Sequence, residues 1–193
     1  MNIVDYKIAL KTLKSGLPII FPTDTLPAIG CLPTFSNVIY EFKKRDREKP
    51  LILMGSEHEQ LMDYVHESAK KDYKNIASKY WPGALTIVIP ASEKQTVNLT
   101  SKDLTIGLRI PNSLMAQSLL SVTGPLLTSS ANISGFKGSI TAEGIALDFP
   151  SVKILGPIPW IKSSGKASTI IFWKNRENWR LIREGEVLVR ELY

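Results

Sequence analysis

The chain has 193 residues, of which 44% are hydrophobic and 22% charged, and this composition predicts a globular protein with one domain over residues 1–193. No apolar run reaches the roughly 18–20 residues that span a bilayer, and the first residues lack the pattern of a secretory signal, so we expect a cytoplasmic protein without membrane contact. The single cysteine, Cys31, excludes an internal disulfide, and a formal net charge of +6 favours anionic partners such as nucleotides or nucleic acid.

Helices and strands are predicted from apolar residues that recur at helical spacing or alternate, with glycines, prolines and capping residues between them. The first half of the chain gives a helix over residues 5–15, a strand over 17–21, a polar loop over 23–30, a short helix begun by Ser36, a strand over 50–54, and helices over 57–65 and 70–80. The second half gives strands over 84–90 and 104–110, a helix from residue 112 or 113 to 120, a strand over 125–130, a weak helix over 141–149, and strands over 152–155, 168–173 and 179–182. Because some strands follow one another directly, we expect an α/β fold with a mixed sheet.

Common catalytic and nucleotide-binding signatures are missing from the sequence. It contains no G-x-S-x-G elbow and no G-x-G-x-x-G fingerprint. The stretch SGKAST is similar to the end of a P-loop, but Trp160 stands where the first glycine is required and Ala167 where a hydroxyl should follow the lysine. His58 and His66 have no metal-ligand partner nearby in the sequence, so the residues predict no metal site.

Four stretches place polar side chains where a strand gives way to a loop, which is where α/β folds usually bind ligands. The first, FPTDTLPAIGC, offers Thr23, Asp24 and Thr25 directly after a strand. Hydroxyls and backbone N–H groups at that point suit a small polar substrate. A plain Asx turn uses the same residue types, so both interpretations stand.

The second stretch, KKRDREKPLILM, is a charge run that stops at a proline before a strand. Charge runs are usually solvated helix faces. Lys43, Arg45 and Lys49 are also the kind of converging cations that a triphosphate requires. Taken alone, the stretch favours the solvated face.

The third stretch, TIGLRIP, puts Arg109 on a strand whose alternate residues are apolar, so Thr105, Gly107 and Arg109 share the other face. An arginine at that position must reach solvent or pair with an anion, because an unpaired buried cation is costly. It is either an edge-strand arginine or a clamp for a carboxylate, to which its planar fork is suited.

The fourth stretch, LLTSSANISG, carries Thr128, Ser129, Ser130 and Asn132 where a strand ends. These small polar groups can surround a substrate with hydrogen-bond donors and acceptors. An ordinary strand-to-loop transition with an Asx turn explains them equally well when the stretch is taken alone.

Taken in order, these stretches resemble the YrdC/TsaC family of threonylcarbamoyl-AMP synthases. The family elements aromatic-P-T-[ED]-T, K-x-R to K-P-L, W-P-G-x-L-T, V-R-x-P and S-x-N-x-S-G are matched by FPTDT, KKRDREKPL, WPGALT, GLRIP and SSANISG. AST and LIREG, late in the chain, resemble two further elements. The resemblance covers nearly the whole chain, and its length is similar to that of the short branch without an extra C-terminal domain.

The resemblance implies a YrdC-like fold, in which a twisted mixed sheet with flanking helices surrounds a large, positively charged cavity. It also implies a nucleotidyltransferase that forms threonylcarbamoyl-AMP and pyrophosphate from L-threonine, bicarbonate and ATP. A separate transferase complex then uses this product to modify tRNA. Since the carbamate of threonine can itself attack the α-phosphorus, no protein nucleophile is needed, which agrees with the missing signatures.

The resemblance also assigns roles to individual residues. The catalytic cations are Lys43, Arg45 and Lys49, and the solvent-facing residues of the same stretch are Lys44, Asp46, Arg47 and Glu48. The residues implied to bind ATP are Arg45, Lys49, Thr105, Asn132, Ser139 and Arg183. The residues implied to bind threonine are Thr25, Arg109, Ser130 and Ser168. Magnesium is expected on the ATP phosphates, because no carboxylate cluster marks a protein cage for it.

Two alternatives to the synthase remain open at the level of sequence. The same basic cavity could bind double-stranded RNA or tRNA by shape and phosphate contacts, without catalysis. The chain could also be a paralogue that uses another amine, because Pro27 stands where the family often has an aromatic residue.

Overall fold

Ten strands join in one mixed sheet in the part of the chain that the computed structural model describes, residues 1–93 and 104–189. The strands are β1 (Ile3–Val4), β2 (Ile19–Phe21), β3 (Ala28–Cys31), β4 (Ile52–Met54), β5 (Leu85–Pro90), β6 (Thr105–Arg109), β7 (Leu126–Ser130), β8 (Lys153–Leu155), β9 (Thr169–Asn175) and β10 (Asn178–Arg183). The helices are α1 (Tyr6–Lys14), α2 (Asn37–Lys43), α3 (His58–Met62), α4 (Lys70–Tyr80), α5 (Leu114–Thr123) and α6 (Ala142–Asp148). In the described ranges no helix is long and apolar enough to cross a membrane.

The sheet is mixed, as the succession of strands predicted. Its order is β1-β8-β2-β3-β7-β4-β6-β5-β9-β10. Four neighbouring pairs are parallel and five are antiparallel. The α/β prediction is therefore confirmed.

Capping side chains begin several helices close to where the sequence predicted, whereas Ser36 precedes α2 without a side-chain cap bond. Asp5 accepts a hydrogen bond from the backbone N–H of Ile8 at 2.8 Å and so begins α1. Ser113 accepts from the N–H of Ala116 at 3.4 Å and begins α5. The side chains at these positions supply acceptors to N–H groups that have no partner within the helix.

Strand β3 corrects the prediction of a polar loop over residues 23–30. Its four residues are all buried, and it pairs antiparallel with both β2 and β7. Gly30 suggested a loop, but a Cβ there would lie 2.9 Å from the Phe21 ring and 3.2 Å from the Thr128 methyl group. The glycine therefore permits close packing within a strand, and the true loop is shorter than the sequence indicated.

Two apolar clusters hold the helices against the sheet. Helices α1 and α5 pack in one cluster with the strands at the β1 end of the sheet, through residues such as Leu13, Phe21 and Leu119. Helices α2, α3, α4 and α6 contribute to the second cluster. Buried Tyr73, on α4, is the largest of the fully buried side chains in this second group.

Strand β6 lies in the interior of the sheet and has two different faces. Ile106 and Leu108 are 3% and 0% exposed and pack in the second cluster. Thr105, Gly107 and Arg109 point to the opposite side, where a cavity lies. The alternation predicted from the sequence is confirmed, and it places three residues of the third stretch along one line of the cavity floor.

The stability of this fold should depend strongly on Asp72. Its buried carboxylate accepts hydrogen bonds from the Trp173 indole at 2.7 Å and from the backbone N–H of Glu177 at 2.9 Å, which ties α4 to the β9–β10 hairpin. Asp72→Ala leaves both donors unsatisfied and should lower the free energy of unfolding by about 2–4 kcal/mol. Urea denaturation measures this, with exposed Asp148→Ala as the control, expected within about 0.5 kcal/mol of wild type. Equal effects of the two variants would contradict this role.

Candidate functional site

A cavity of about 760 Å³ opens on the face of the sheet formed by β7, β4, β6, β5, β9 and β10. Among the described residues, its wall contains six cationic side chains and one carboxylate, that of Glu48. The cations are Arg45, Arg47, Lys49, Arg109, Arg180 and Arg183. The large basic cavity that the resemblance implied is thus present, and its charge suits an anionic ligand.

Arg109 lies at the base of this cavity and is only 2% exposed. It donates to the Gly83 carbonyl at 3.0 Å, to the Thr25 hydroxyl at 2.8 Å and to Oδ1 of Asp24 at 2.6 Å. Burial lowers the pKa of Arg109, and the Asp24 carboxylate opposes that shift. Because a guanidinium has five N–H donors, two remain without an acceptor among the described residues. A ligand carboxylate can take both of them.

The loop after β2 presents Thr25 to this arginine in a fixed orientation. The Thr23 hydroxyl lies 3.1 Å from the Thr25 hydroxyl, accepts from the N–H of Thr25 at 3.1 Å and donates to the Leu26 carbonyl at 2.7 Å. Both threonines are buried. The first stretch is therefore a tight turn, held by the Thr23 hydroxyl, that also places Thr25 at the cavity, so the two interpretations of that sequence are compatible.

The opposite wall is built by Arg183 and the segment that leads into β9. Arg183 donates to the Ser168 carbonyl from two nitrogens, at 3.1 and 2.8 Å, and its terminal nitrogen lies 3.2 Å from the Ser168 hydroxyl. That hydroxyl also lies 2.9 Å from the Thr86 hydroxyl. Gly185 allows this arrangement, because a Cβ there would lie 2.4 Å from the Ala167 carbonyl oxygen.

Lys43 lies behind the cavity wall with its amine directed at the end of β7. The amine donates to the Ser130 carbonyl and lies 3.4 Å from the side-chain oxygen of Asn132. The Ser130 hydroxyl donates to the same Asn132 oxygen at 2.6 Å. Burial, and then the positive charge of Arg45, lowers the pKa of Lys43 to about 7. This network sets the position of Ser130, which lines the cavity.

Arg45 organises the loop between α2 and β4. It donates to the carbonyls of Lys49 and Pro50, each at 3.1 Å. Burial lowers the pKa of Arg45. Arg47 donates to the Asn37 side chain at 2.7 Å, and its guanidinium lies 5.8 Å from the centre of the Tyr40 ring. The two cations thus have different partners, since Arg45 bonds within its own loop and Arg47 contacts helix α2.

The structure brings together most of the residues that the sequence singled out. Those that line the cavity are Thr25, Arg45, Lys49, Thr105, Arg109, Ser130, Ser168 and Arg183. Three others do not line it. Lys43 and Asn132 lie directly behind Ser130, and the Ser139 hydroxyl instead accepts from the N–H of Thr141 at 3.1 Å.

Several lining residues were not identified from the sequence. Arg47 and Glu48 are exposed, as expected, but they also line the cavity. Arg180 does so too, 5.2 Å from the centre of the Phe172 ring, which is itself a lining residue. Alternation with buried Trp179 in the stretch NWRLIR could have indicated which way Arg180 points.

A divalent cation has no dedicated cage in the described ranges. No group of three or more histidine, cysteine, aspartate or glutamate side chains is placed to hold a metal ion in those ranges. Such a cation would depend on oxygen ligands from a substrate, an arrangement that suits magnesium.

Comparison with known proteins places these features in one family. Residues 11–185 match the profile of the Sua5/YciO/YrdC domain, described as "Telomere recombination". The threonylcarbamoyl-AMP synthase of Buchnera aphidicola is 32% identical over 192 residues, which cover 96% of this chain and 100% of that protein. The corresponding synthase of Vibrio campbellii is 31% identical over 146 residues, covering 73% of this chain and 79% of its own length.

A solved structure shares the fold as well. Pyrococcus abyssi Sua5, determined in complex with L-threonine, is 26% identical and superposes with a TM-score of 0.89 over 100% of this chain. The match covers 60% of the Sua5 chain. The chain therefore spans somewhat less than two thirds of that relative.

The lowered pKa of Lys43 predicts a pH-dependent stability. Its folded-state pKa of about 7 lies below the ordinary value of 10.5, so the unfolded chain binds one more proton between these values. The free energy of unfolding contributed by this site should therefore rise with pH from about 7 to about 10. Urea denaturation of wild type and Lys43→Met across this range measures the contribution. Lys44→Met, at the exposed neighbouring position, is the control, and the same pH slope in all three proteins would contradict the prediction.

Proposed function

The chain belongs to the Sua5/YciO/YrdC family, and we propose that it is a threonylcarbamoyl-AMP synthase whose cavity binds L-threonine, bicarbonate and ATP. The product would be L-threonylcarbamoyl-AMP, with release of pyrophosphate. Such an enzyme is a nucleotidyltransferase that supplies an activated carbamoyl group for tRNA modification.

The observation that supports this proposal most strongly is that the buried Arg109 guanidinium keeps N–H donors for a ligand. It is buried, already paired with Asp24 and held by Thr25 and Gly83, yet it keeps two N–H donors for a ligand. A planar carboxylate fits two parallel N–H donors, and the resulting bonds are charge-assisted. The α-carboxylate of threonine is the group that we assign to this position, with the Thr25, Ser130 and Ser168 hydroxyls around the rest of the amino acid.

The nucleotide would lie at the other end of the cavity floor. Arg45 and Lys49 lie on the loop before β4, and Thr105 begins β6. We assign the ATP phosphates to Arg45 and Lys49, with Thr105 and Arg183 along the nucleotide. The resemblance also assigned Asn132 and Ser139 to ATP, but neither lines the cavity, and Asn132 would act through its hydrogen bond with Ser130. Thr105 and Arg109 are four residues apart on one strand, which corresponds to about 13 Å. That separation accommodates an amino acid and a phosphate group placed end to end.

The chemistry requires positioning and charge neutralisation from the protein. The threonine amine condenses with bicarbonate to give a carbamate and water, and one carbamate oxygen then attacks the α-phosphorus while pyrophosphate leaves. Because the nucleophile belongs to the substrate, the protein acts through placement and through cations aimed at the phosphates. We therefore assign catalysis to Arg45 and Lys49, with Lys43 holding Ser130 and Asn132 in place.

Magnesium would reach the site with ATP. Glu48 is the one carboxylate on the cavity wall in the part of the chain that the structure describes, and a cation that keeps its waters and binds substrate phosphates needs little more from the protein. We place the enzyme in the cytoplasm, where a transferase complex would pass the threonylcarbamoyl group to tRNA.

A double-stranded RNA-binding module is the competing function, and the buried arginine argues against it. Phosphate contacts with RNA are made by exposed cations and do not require a buried, pre-paired guanidinium. Because Arg47, Lys49 and Arg180 are exposed cations on the cavity wall, direct RNA binding is compatible with the synthase.

Incubation of the purified protein with ATP, bicarbonate and isotopically labelled threonine tests the function. We expect pyrophosphate release that depends on threonine and bicarbonate, together with a labelled adenylate detected by mass spectrometry. Pyrophosphate release with another amine but not with threonine would identify a paralogue. Double-stranded RNA binding without any pyrophosphate release would favour the binding module and contradict the synthase.

Arg109→Ala should weaken threonine binding much more than ATP binding. Loss of the clamp should raise the threonine KM by about 100-fold, because a buried charged pair is broken, whereas ATP binding measured by calorimetry should stay near the wild-type value. Arg109→Lys keeps the charge without the fork and should recover only part of the affinity. If threonine and ATP binding fall equally while the protein stays folded, Arg109 does not hold the amino acid.

Arg45 and Arg47 form a matched pair that separates charge from position. Arg45→Ala removes a cavity cation and two hydrogen bonds within the loop between α2 and β4, so kcat/KM for ATP should fall about 100-fold. Arg47→Ala removes the same charge from a lining residue that is exposed and bonds to Asn37 outside this loop, so kcat/KM should change by less than about fivefold. Similar losses in the steady-state kinetics of the two variants would contradict the assignment.

A further inference from the structure

At Gly107 neither a positive φ nor a close neighbouring atom requires glycine, although one of these two reasons applies to every other glycine of this chain. All 12 glycines lie in the described ranges, and each of the other 11 has either a positive φ or a position where a Cβ would meet a neighbouring atom at less than 3.0 Å. At Gly107 the φ is not positive. A Cβ would make ordinary contacts with Ile52, Thr86 and Val88 at 3.5, 3.6 and 3.8 Å. The fold thus has room for a side chain here.

A glycine in this place also weakens the strand that contains it. Gly107 is the central residue of β6, paired with Ile52 of β4 on one side and Val88 of β5 on the other. Neither pairing is irregular at this position. Glycine in a strand interior loses conformational entropy on folding and packs no side chain, and it often marks a point where a ligand approaches the backbone.

The position of Gly107 on the cavity floor shows which ligand atoms would approach it. Thr105 and Arg109 flank it on the same face of β6, and all three line the cavity. In the proposed function, Thr105 belongs to the nucleotide end and Arg109 holds the amino acid. The carbamate and the α-phosphate must therefore meet above the residue between them.

We propose that Gly107 is a positioning residue, whose missing side chain leaves the space in which the threonine carbamate reaches the α-phosphate of ATP. This inference rests on the proposed function. In the step concerned, a bond forms between a carbamate oxygen and the α-phosphorus. The bond from that phosphorus to the bridging oxygen breaks, and pyrophosphate leaves with the electron pair. A methyl group at residue 107 would lift the reacting atoms away from the floor at this point.

Gly107→Ala and Gly107→Val test the inference through opposite effects on stability and rate. Each variant should keep or raise the midpoint of thermal unfolding, because it replaces a strand glycine where the backbone permits a side chain. The kcat for threonine-dependent pyrophosphate release should nevertheless fall by at least about tenfold for alanine and further for valine, since displacement by about 1 Å can cost about 100-fold. The threonine KM should stay within about threefold of wild type, because Arg109 is unchanged.

A purely structural glycine would give the opposite pattern. An alanine variant with a clearly lowered unfolding midpoint, or one with less than a tenfold loss of kcat, would overturn the inference. The alanine variant alone decides the matter if the valine variant fails to fold. Wild-type protein in the same assay distinguishes a failure of the Gly107 inference from a failure of the proposed synthase function. An active wild type with an equally active Gly107→Ala contradicts only this inference, whereas an inactive wild type contradicts the proposed function on which it rests.

Discussion

The buried ion pair between Arg109 and Asp24 is the constraint on which the cavity depends. A guanidinium that is 2% exposed needs a counter-charge and hydrogen-bond acceptors, since burial of an unpaired cation is costly. Asp24 and Thr25 provide them from the loop after β2, and Gly83 from the turn after α4. The carbonyls of Asp24 and Thr25 in turn accept from the N–H groups of residues 164 and 165, at 3.1 and 3.3 Å. The Arg109 side chain therefore joins two distant segments at the base of the site, and backbone bonds attach residues 164 and 165 to one of them.

The regular spacing of residues along β6 fixes the distance between the two ends of the site. Residues that alternate along β6 face the cavity about 7 Å apart, and neighbouring strands continue these rows on either side. Polar groups lie at the two ends of β6, and a glycine lies between them. A reaction that joins two bound substrates end to end needs this kind of fixed separation, because catalysis without a protein nucleophile depends on placement.

The sequence predicted the α/β class, the mixed sheet and the direction of Arg109 because these follow from local periodicity and strand succession. It missed β3 because Gly30 indicated a turn, whereas its role is to let the Phe21 ring approach, a contact that only the folded chain creates. It also missed Arg180 and the inward side of Arg47, since which exposed cations line a cavity depends on tertiary arrangement. Asp24 was identified as a turn residue, and its pairing with an arginine 85 residues away could not be read from spacing.

A crystal structure of this protein with L-threonine and a non-hydrolysable ATP analogue would show where both substrates lie. We expect the threonine carboxylate within hydrogen-bond distance of Arg109, the triphosphate beside Arg45 and Lys49, and the α-phosphorus above Gly107. A complex in which the threonine carboxylate lies away from Arg109, with the guanidinium paired only as it is now, would contradict this expectation.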